Sequence, residues 1–149
     1  MYEKDLIKTF GSLVEDALLV ISHDLMIKDA NAASIRLLGD QVIGTDLNQQ
    51  IVYSGLAEEL AVCIHSKKPI EFTTSPIRNH YRHIRARMMS WGEDTVIVLL
   101  LDMTLQHNLE KMRRDFVANV SHELRSPLTS LIGFVETIQN SPDMELSVR

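Results

Sequence analysis

The sequence predicts an α+β fold, an antiparallel sheet with helices on one face, followed by one long α-helix. Three observations predict it. Short apolar or alternating runs recur through the first hundred residues and read as strands. Two amphipathic segments separate them. From Thr104 to Asn140 the character changes, with no glycine before Gly133 and a single proline, Pro127. These features divide the chain into a mixed α/β domain over 1–103 and a helical part over 104–149.

Taken in order, Leu6, Ile7, Phe10, Leu13 and Val14 recur at helical spacing. Ala17 to Ile21 is a short apolar strand, His23-Asp24 a turn, and Met26 to Asp29 a second short strand. Ala30 to Leu38 reads as a helix that stops at Gly39. Leu56 to His65 is a second amphipathic helix, ended by Lys67, Lys68 and Pro69. Ile70, Phe72 and Thr74 alternate with polar residues at strand spacing. A polar strand is expected over Tyr81 to Met89. Val96 to Leu101 is continuously apolar and suits a central strand covered on both faces. The order strand, strand, small helices, then three strands suggests an antiparallel sheet with helices on one face.

Composition narrows the function. The chain has 149 residues, 45% hydrophobic and 23% charged, which excludes wholesale disorder. A net charge of −5 and the lack of a basic stripe speak against nucleic-acid binding. The one cysteine, Cys63, suits a reducing compartment. No apolar run approaches the ~20 residues needed to span a bilayer, and the N-terminus lacks a signal-peptide pattern. The chain reads as soluble and cytoplasmic, on its own or as the cytoplasmic part of a membrane-anchored protein.

The long helix carries a continuous apolar stripe. Leu105, Leu109, Met112 and Phe116 step by four, three and four residues, a coiled-coil rhythm. Val120, Leu124 and Leu128 then step by four, which changes the local supercoil. Leu131, Val135 and Ile138 return to the mixed rhythm. Asp102 or Thr104 can cap its start, and Ser141-Pro142 ends it. Such a stripe has no partner within its own half, and a parallel homodimer is the simplest way to bury it. The alternative is a helix folded back on the first domain.

The chemistry concentrates between Phe116 and Leu131. At ~100° per residue, His122 sits well off the face of Val120 and Leu124, so its imidazole projects to solvent. Ser126 lies one turn on, and Glu123 and Arg125 flank it. A neutral imidazole is a nucleophile, and a neighbouring carboxylate such as Glu123 can take the proton it sheds. Ser121, His122 and Glu123 are consecutive helix positions and cannot form a hydrolase triad. Pro127 removes the helical hydrogen bond to Glu123, so a bend or hinge is expected just after His122.

The run His122-Glu-Leu-Arg-Ser-Pro127 resembles the H-box of sensor histidine kinases. The flanking Asp115-Phe-Val-Ala-Asn-Val-Ser and Leu128-Thr-Ser-Leu-Ile-Gly-Phe are similar to the same box, especially in phosphate-regulon-type sensor kinases. The likeness covers 113–138. It implies that His122 is phosphorylated from ATP and magnesium held on a separate catalytic domain. His122 then passes the group to an aspartate on a response-regulator receiver domain, with Glu123 as acid/base. The family's phosphatase reaction commonly uses Thr or Asn four residues after the histidine. This chain departs from that pattern with Ser126, whose hydroxyl is the candidate for positioning water. The stretch represents the first helix of a partial dimerisation hairpin. The second helix and any glycine-rich nucleotide-binding segment are not found in the sequence, so the chain alone is not expected to phosphorylate itself. Non-native association or a frayed C-terminal segment is expected to follow.

More weakly, Leu13-Val-Glu-Asp-Ala-Leu-Leu-Val-Ile-Ser-His-Asp and Ala30-Asn-Ala-Ala resemble the start of a PAS sensor domain. Asp102-Met103-Thr104 resembles the Asp-x-Thr junction that joins such domains to output helices. This resemblance implies a ligand or signal of unknown chemistry and a role in dimerisation. The runner-up function is a non-enzymatic, ligand-sensing PAS dimerisation module in which His122 is inert.

Other histidines and basic residues read as structural. His65, near a helix end, is a surface residue rather than a haem ligand. Cys63 is a buried thiol without the motif of flavin-adduct light sensors. His80 and His83 point to opposite faces of a strand and cannot chelate, so no metal site is expected. His107 reads as a solvated helix position. Arg78, Arg82, Arg85 and Arg87 read as a solvated basic strand face.

Overall fold

The computed structural model describes Ile7 and residues 9–140. Five strands form one sheet: β1 (Ala17–Ser22), β2 (Ile27–Ala30), β3 (Ile70–Thr74), β4 (Ile84–Trp91) and β5 (Thr95–Asp102). Their spatial order is β2-β1-β5-β4-β3 and every pairing is antiparallel. Helices α1 (Ala32–Leu38) and α2 (Leu56–Ser66) lie between β2 and β3 in sequence, and α3 (Thr104–Asn140) follows β5. The chain divides into two compact units, 1–107 and 108–149.

Register explains the core. Leu19 pairs with Val98 and Val98 with Met88, so these side chains share one face. Leu19, Ile21, Ile84, Ala86, Met88, Val96, Val98 and Leu100 are at most 1% exposed there. Leu38 of α1 and Leu56, Leu60 and Cys63 of α2 join the same cluster. The helices thus cover a single face of the sheet. The Cys63 thiol donates to the Met88 carbonyl at 3.4 Å, and burial pushes its pKa up.

The expectation that β5 is covered on both faces holds only in part. Ile97, Leu99 and Leu101 are partly exposed among the described residues. The continuous apolar run marks the strand's central place between β1 and β4. The polar strand expected from Tyr81 starts later, at Ile84. Asn79 holds Tyr81 and Arg82 in a turn through its side-chain and main-chain oxygens. Leu13 and Val14 lie beyond the helical turn around Thr9 and Phe10, and Leu6 falls outside the described residues.

Asn31 fastens α1 to the sheet. Its Oδ1 accepts from the backbone N–H groups of Ser34, at 3.0 Å, and Leu18, at 2.9 Å. Its Nδ2 donates to the carbonyls of Asp16, at 2.9 Å, and Gly11, at 3.2 Å. One buried amide therefore caps a helix and ties it to both the start of β1 and the segment before it. Gly39 ends α1 at φ 113°, where a Cβ would also meet Arg78 Nη1 at 2.6 Å. Gly39→Ala is accordingly expected to lower thermal stability, by roughly 1–3 kcal/mol. A melting curve unchanged by that substitution would show the turn adapts.

Helix α3 comprises 37 residues, about 55 Å at ~1.5 Å per residue, and continues through Pro127. The expected stop at Ser141-Pro142 falls outside the described residues.

Candidate functional site: the helix junction and the His122 face

The junction between β5 and α3 is built from residues far apart in sequence. The Asp102 carboxylate accepts from the backbone N–H of Thr104 at 3.0 Å and from the Thr104 hydroxyl. Its other oxygen pairs with Arg82 at 2.8 Å. Thr104 Oγ1 accepts from the His83 N–H at 3.0 Å, and the His83 carbonyl accepts from Met103 N–H at 2.7 Å. Asp102 thus caps the first turn while Thr104 ties that turn to the start of β4. Antiparallel pairing makes this possible, because Ile84 lies opposite Asp102.

Partial burial pushes the Asp102 carboxyl up, but the Thr104 hydroxyl and amide and the Arg82 guanidinium outweigh it and hold it below its usual range. A depressed carboxylate pKa stabilises the fold above the unfolded-state value. The contribution is lost as pH falls through the folded value. Stability should therefore decline below about pH 4 more steeply in the native chain than in Asp102→Asn. Parallel acid limbs in thermal melts of the two proteins would contradict this.

His107 is exposed on the helix, as its sequence suggested, but it is not without a neighbour. Its ring stacks on His83, with centroids 3.6 Å apart and planes at 22°. Neither this pair nor the Arg82–Asp102 bridge is visible in local sequence. The spacing of 20 residues between Arg82 and Asp102 becomes informative only with the strand register in hand. The basic face also resolves into pairs. Arg85 and Arg87 both reach Glu71, at 3.1 and 2.9 Å. His80 lies in a turn and His83 just before β4, so neither occupies the strand positions expected for it. Among the described residues no group of three or more metal-ligating side chains could hold an ion. His65 is an exposed residue of α2.

On α3, His122, Glu123, Ser126 and Pro127 are all exposed. Asp102 and Thr104 belong to the other compact unit. Leu105, Leu109, Met112, Phe116, Val120, Leu124, Leu128, Leu131, Val135 and Ile138 are 39–67% exposed. A lone helix leaving this much apolar surface in water calls for a partner.

Residues 112–148 match the His Kinase A (phospho-acceptor) domain. The chain is 34% identical over 137 residues to the phosphate regulon sensor protein PhoR of Pseudomonas aeruginosa, covering 90% of this chain and 30% of the relative. It is 53% identical over 47 residues to the sensor protein SrrB of Staphylococcus aureus, covering 32% of this chain and 8% of that protein. Among solved structures, the PAS domain of the Cronobacter turicensis quorum-sensing receptor RpfR, in complex with BDSF, superposes with a TM-score of 0.52 at 15% identity. It covers 61% of this chain and 96% of that one. A PAS domain from a two-component sensor histidine kinase gives 0.52 at 12% identity, covering 68% and 99%. These two establish the fold.

The chain thus joins a PAS-type fold to a helix whose sequence is similar to the His Kinase A phosphoacceptor domain. Over most of its length the chain is similar to a sensor kinase, PhoR of Pseudomonas aeruginosa. The domain family carries dimerisation and response-regulator signalling as general properties. The chain spans less than a third of that relative's length. Among the described residues no helix is long and apolar enough to cross a membrane.

Proposed function

We propose that His122 is the phosphoacceptor of this chain. The observation that carries the reading is a single exposed histidine within the matched phosphoacceptor sequence, on the polar side of a helix. A neutral ring nitrogen of His122 attacks the γ-phosphorus of ATP, the bond to the β,γ-bridging oxygen breaks, and ADP leaves. The proton on the second ring nitrogen passes to Glu123. The phosphoryl group then moves from nitrogen to an aspartate oxygen of a response-regulator receiver domain, which restores the imidazole. The nucleotide and its magnesium are supplied by a catalytic domain distinct from residues 1–149. Ser126, one turn beyond His122, positions water to attack the aspartyl phosphate of the receiver domain, which breaks the acyl phosphate bond and releases inorganic phosphate. Use of ATP places the reaction in the cytoplasm.

The test mixes this chain with ATP, magnesium and a separately made catalytic domain of a related sensor kinase. Acid-labile, base-stable phosphate on the chain is the expected result. Its absence at high catalytic-domain concentration, with a docking-competent domain verified on its own acceptor, would overturn the assignment.

The working unit is a parallel homodimer joined along the α3 stripe. Met112→Lys with Phe116→Lys places two charges in that seam and should weaken self-association about 100-fold or more. Sedimentation velocity measures this, and unchanged association would move the interface elsewhere. A signal in the PAS-type domain acts by changing the twist of the paired helices, with Pro127 as the hinge next to His122. Cysteines placed at 109, 112 and 116 should then crosslink differently between signalling states; an invariant pattern counts against that mechanism.

A further inference from the structure

The His83–His107 stack has no part in the reaction just described, yet it joins a strand to the output helix. We propose that this pair is a proton-operated latch that holds the first turn of α3 to the start of β4 near neutral pH and releases it in mild acid.

The geometry makes the rings dependent on each other. The backbone of His83 is already fixed to the helix start through Thr104 Oγ1 at 3.0 Å and Met103 N–H at 2.7 Å. The His107 N–H donates to the Met103 carbonyl at 2.9 Å. The two side chains therefore face each other across a short, hydrogen-bonded frame, with ring centroids 3.6 Å apart. On the helical wheel His107 lies about 200° from Leu105, away from the apolar stripe. A dimer formed along that stripe leaves the stack in place.

Histidine is the side chain that changes charge between about pH 5 and 8. Two neutral rings stack favourably, and a first proton is tolerated because a cation sits well over an aromatic face. A second proton sets like charges at stacking distance. The surroundings offer little relief. From β5, the Asp102 carboxylate is engaged by Arg82 and Thr104. From the connection before β4 come Arg82 itself and His80, both basic. On the next turn of α3, Glu110 is followed by Lys111. On β4, Arg85 is paired with Glu71. Near-parallel rings also aim their lone pairs side by side, so the pair does not converge on a metal ion.

Release would leave the Asp102 cap intact but remove the side-chain clamp on the helix start. That it alters signalling rests on the proposed role of α3 in presenting His122, while the latch itself is read without any phosphoryl transfer. The experiment is NMR on the complete chain, following the ring-to-ring Overhauser contact between residues 83 and 107. In the native protein the contact should be present at pH 7.5 and lost at pH 5.5. In His107→Phe, which stacks but cannot take a proton, it should persist at both pH values. His83→Phe provides the same comparison should the first variant not fold. Persistence in the native chain after both rings are protonated would overturn the latch, as would acid loss of the contact in the phenylalanine variant.

Discussion

His122→Gln is expected to take up no acid-labile phosphate, and Glu123→Gln to take it up roughly 10²–10⁴-fold more slowly. The two outcomes separate acceptor from proton acceptor. Glutamine at 122 keeps the helix and its polarity but offers no nucleophilic ring nitrogen. Glutamine at 123 keeps size and hydrogen bonding but cannot take the proton that the attacking imidazole sheds. Both residues are exposed on α3, so neither change disturbs a packed contact within the described chain. The rate of label transfer at saturating ATP and catalytic domain measures both. Equal rates for Glu123→Gln and the native chain would leave proton removal to water. Ser126→Ala should spare this forward reaction and slow loss of label on the response regulator.

Asn31→Ala should lower stability by roughly 2–4 kcal/mol, with a drop in melting temperature of about 10–20 °C. The substitution leaves the Leu18 and Ser34 amides without their Oδ1 acceptor. It also strands the Gly11 and Asp16 carbonyls at a site only 6% exposed. Asn31→Asp is the discriminating companion. It retains the acceptor that caps α1 but turns a carboxylate oxygen towards two carbonyls, so it should also destabilise. A neutral Asn31→Asp would reduce the residue to a helix cap. Chemical denaturation of the three proteins decides between these readings.

Elements with strong periodicity were legible in the sequence. The 37-residue helix begins where its apolar stripe does, and α1 stops at Gly39, whose φ of 113° suits a residue free of Cβ beside Arg78. The strand begins at Ile84 and not at Tyr81 because Arg82-His83 breaks the alternation that runs from Ile84 and Asn79 closes a turn there with hydrogen bonds. The phosphoacceptor stretch is legible because its residues are contiguous. The junction was legible only by half. Asp102 and Thr104 stand two apart, but Arg82, His83 and His107 arrive through strand pairing and helix packing, which no local window contains.

The capping aspartate stands at the end of β5, the strand bonded to β4 along its whole length and to β1 from Thr95 to Leu100. Central strands of a sheet are among the last amides to exchange with solvent, whereas edge strands such as β2 and β3 open early. The output helix is therefore rooted in the slowest-opening element of the domain. Fraying of either sheet edge, as when the domain loosens on warming or rearranges around a bound molecule, leaves that root undisturbed. Only events that reach β5 or its neighbours, β1 and β4, can alter where α3 begins.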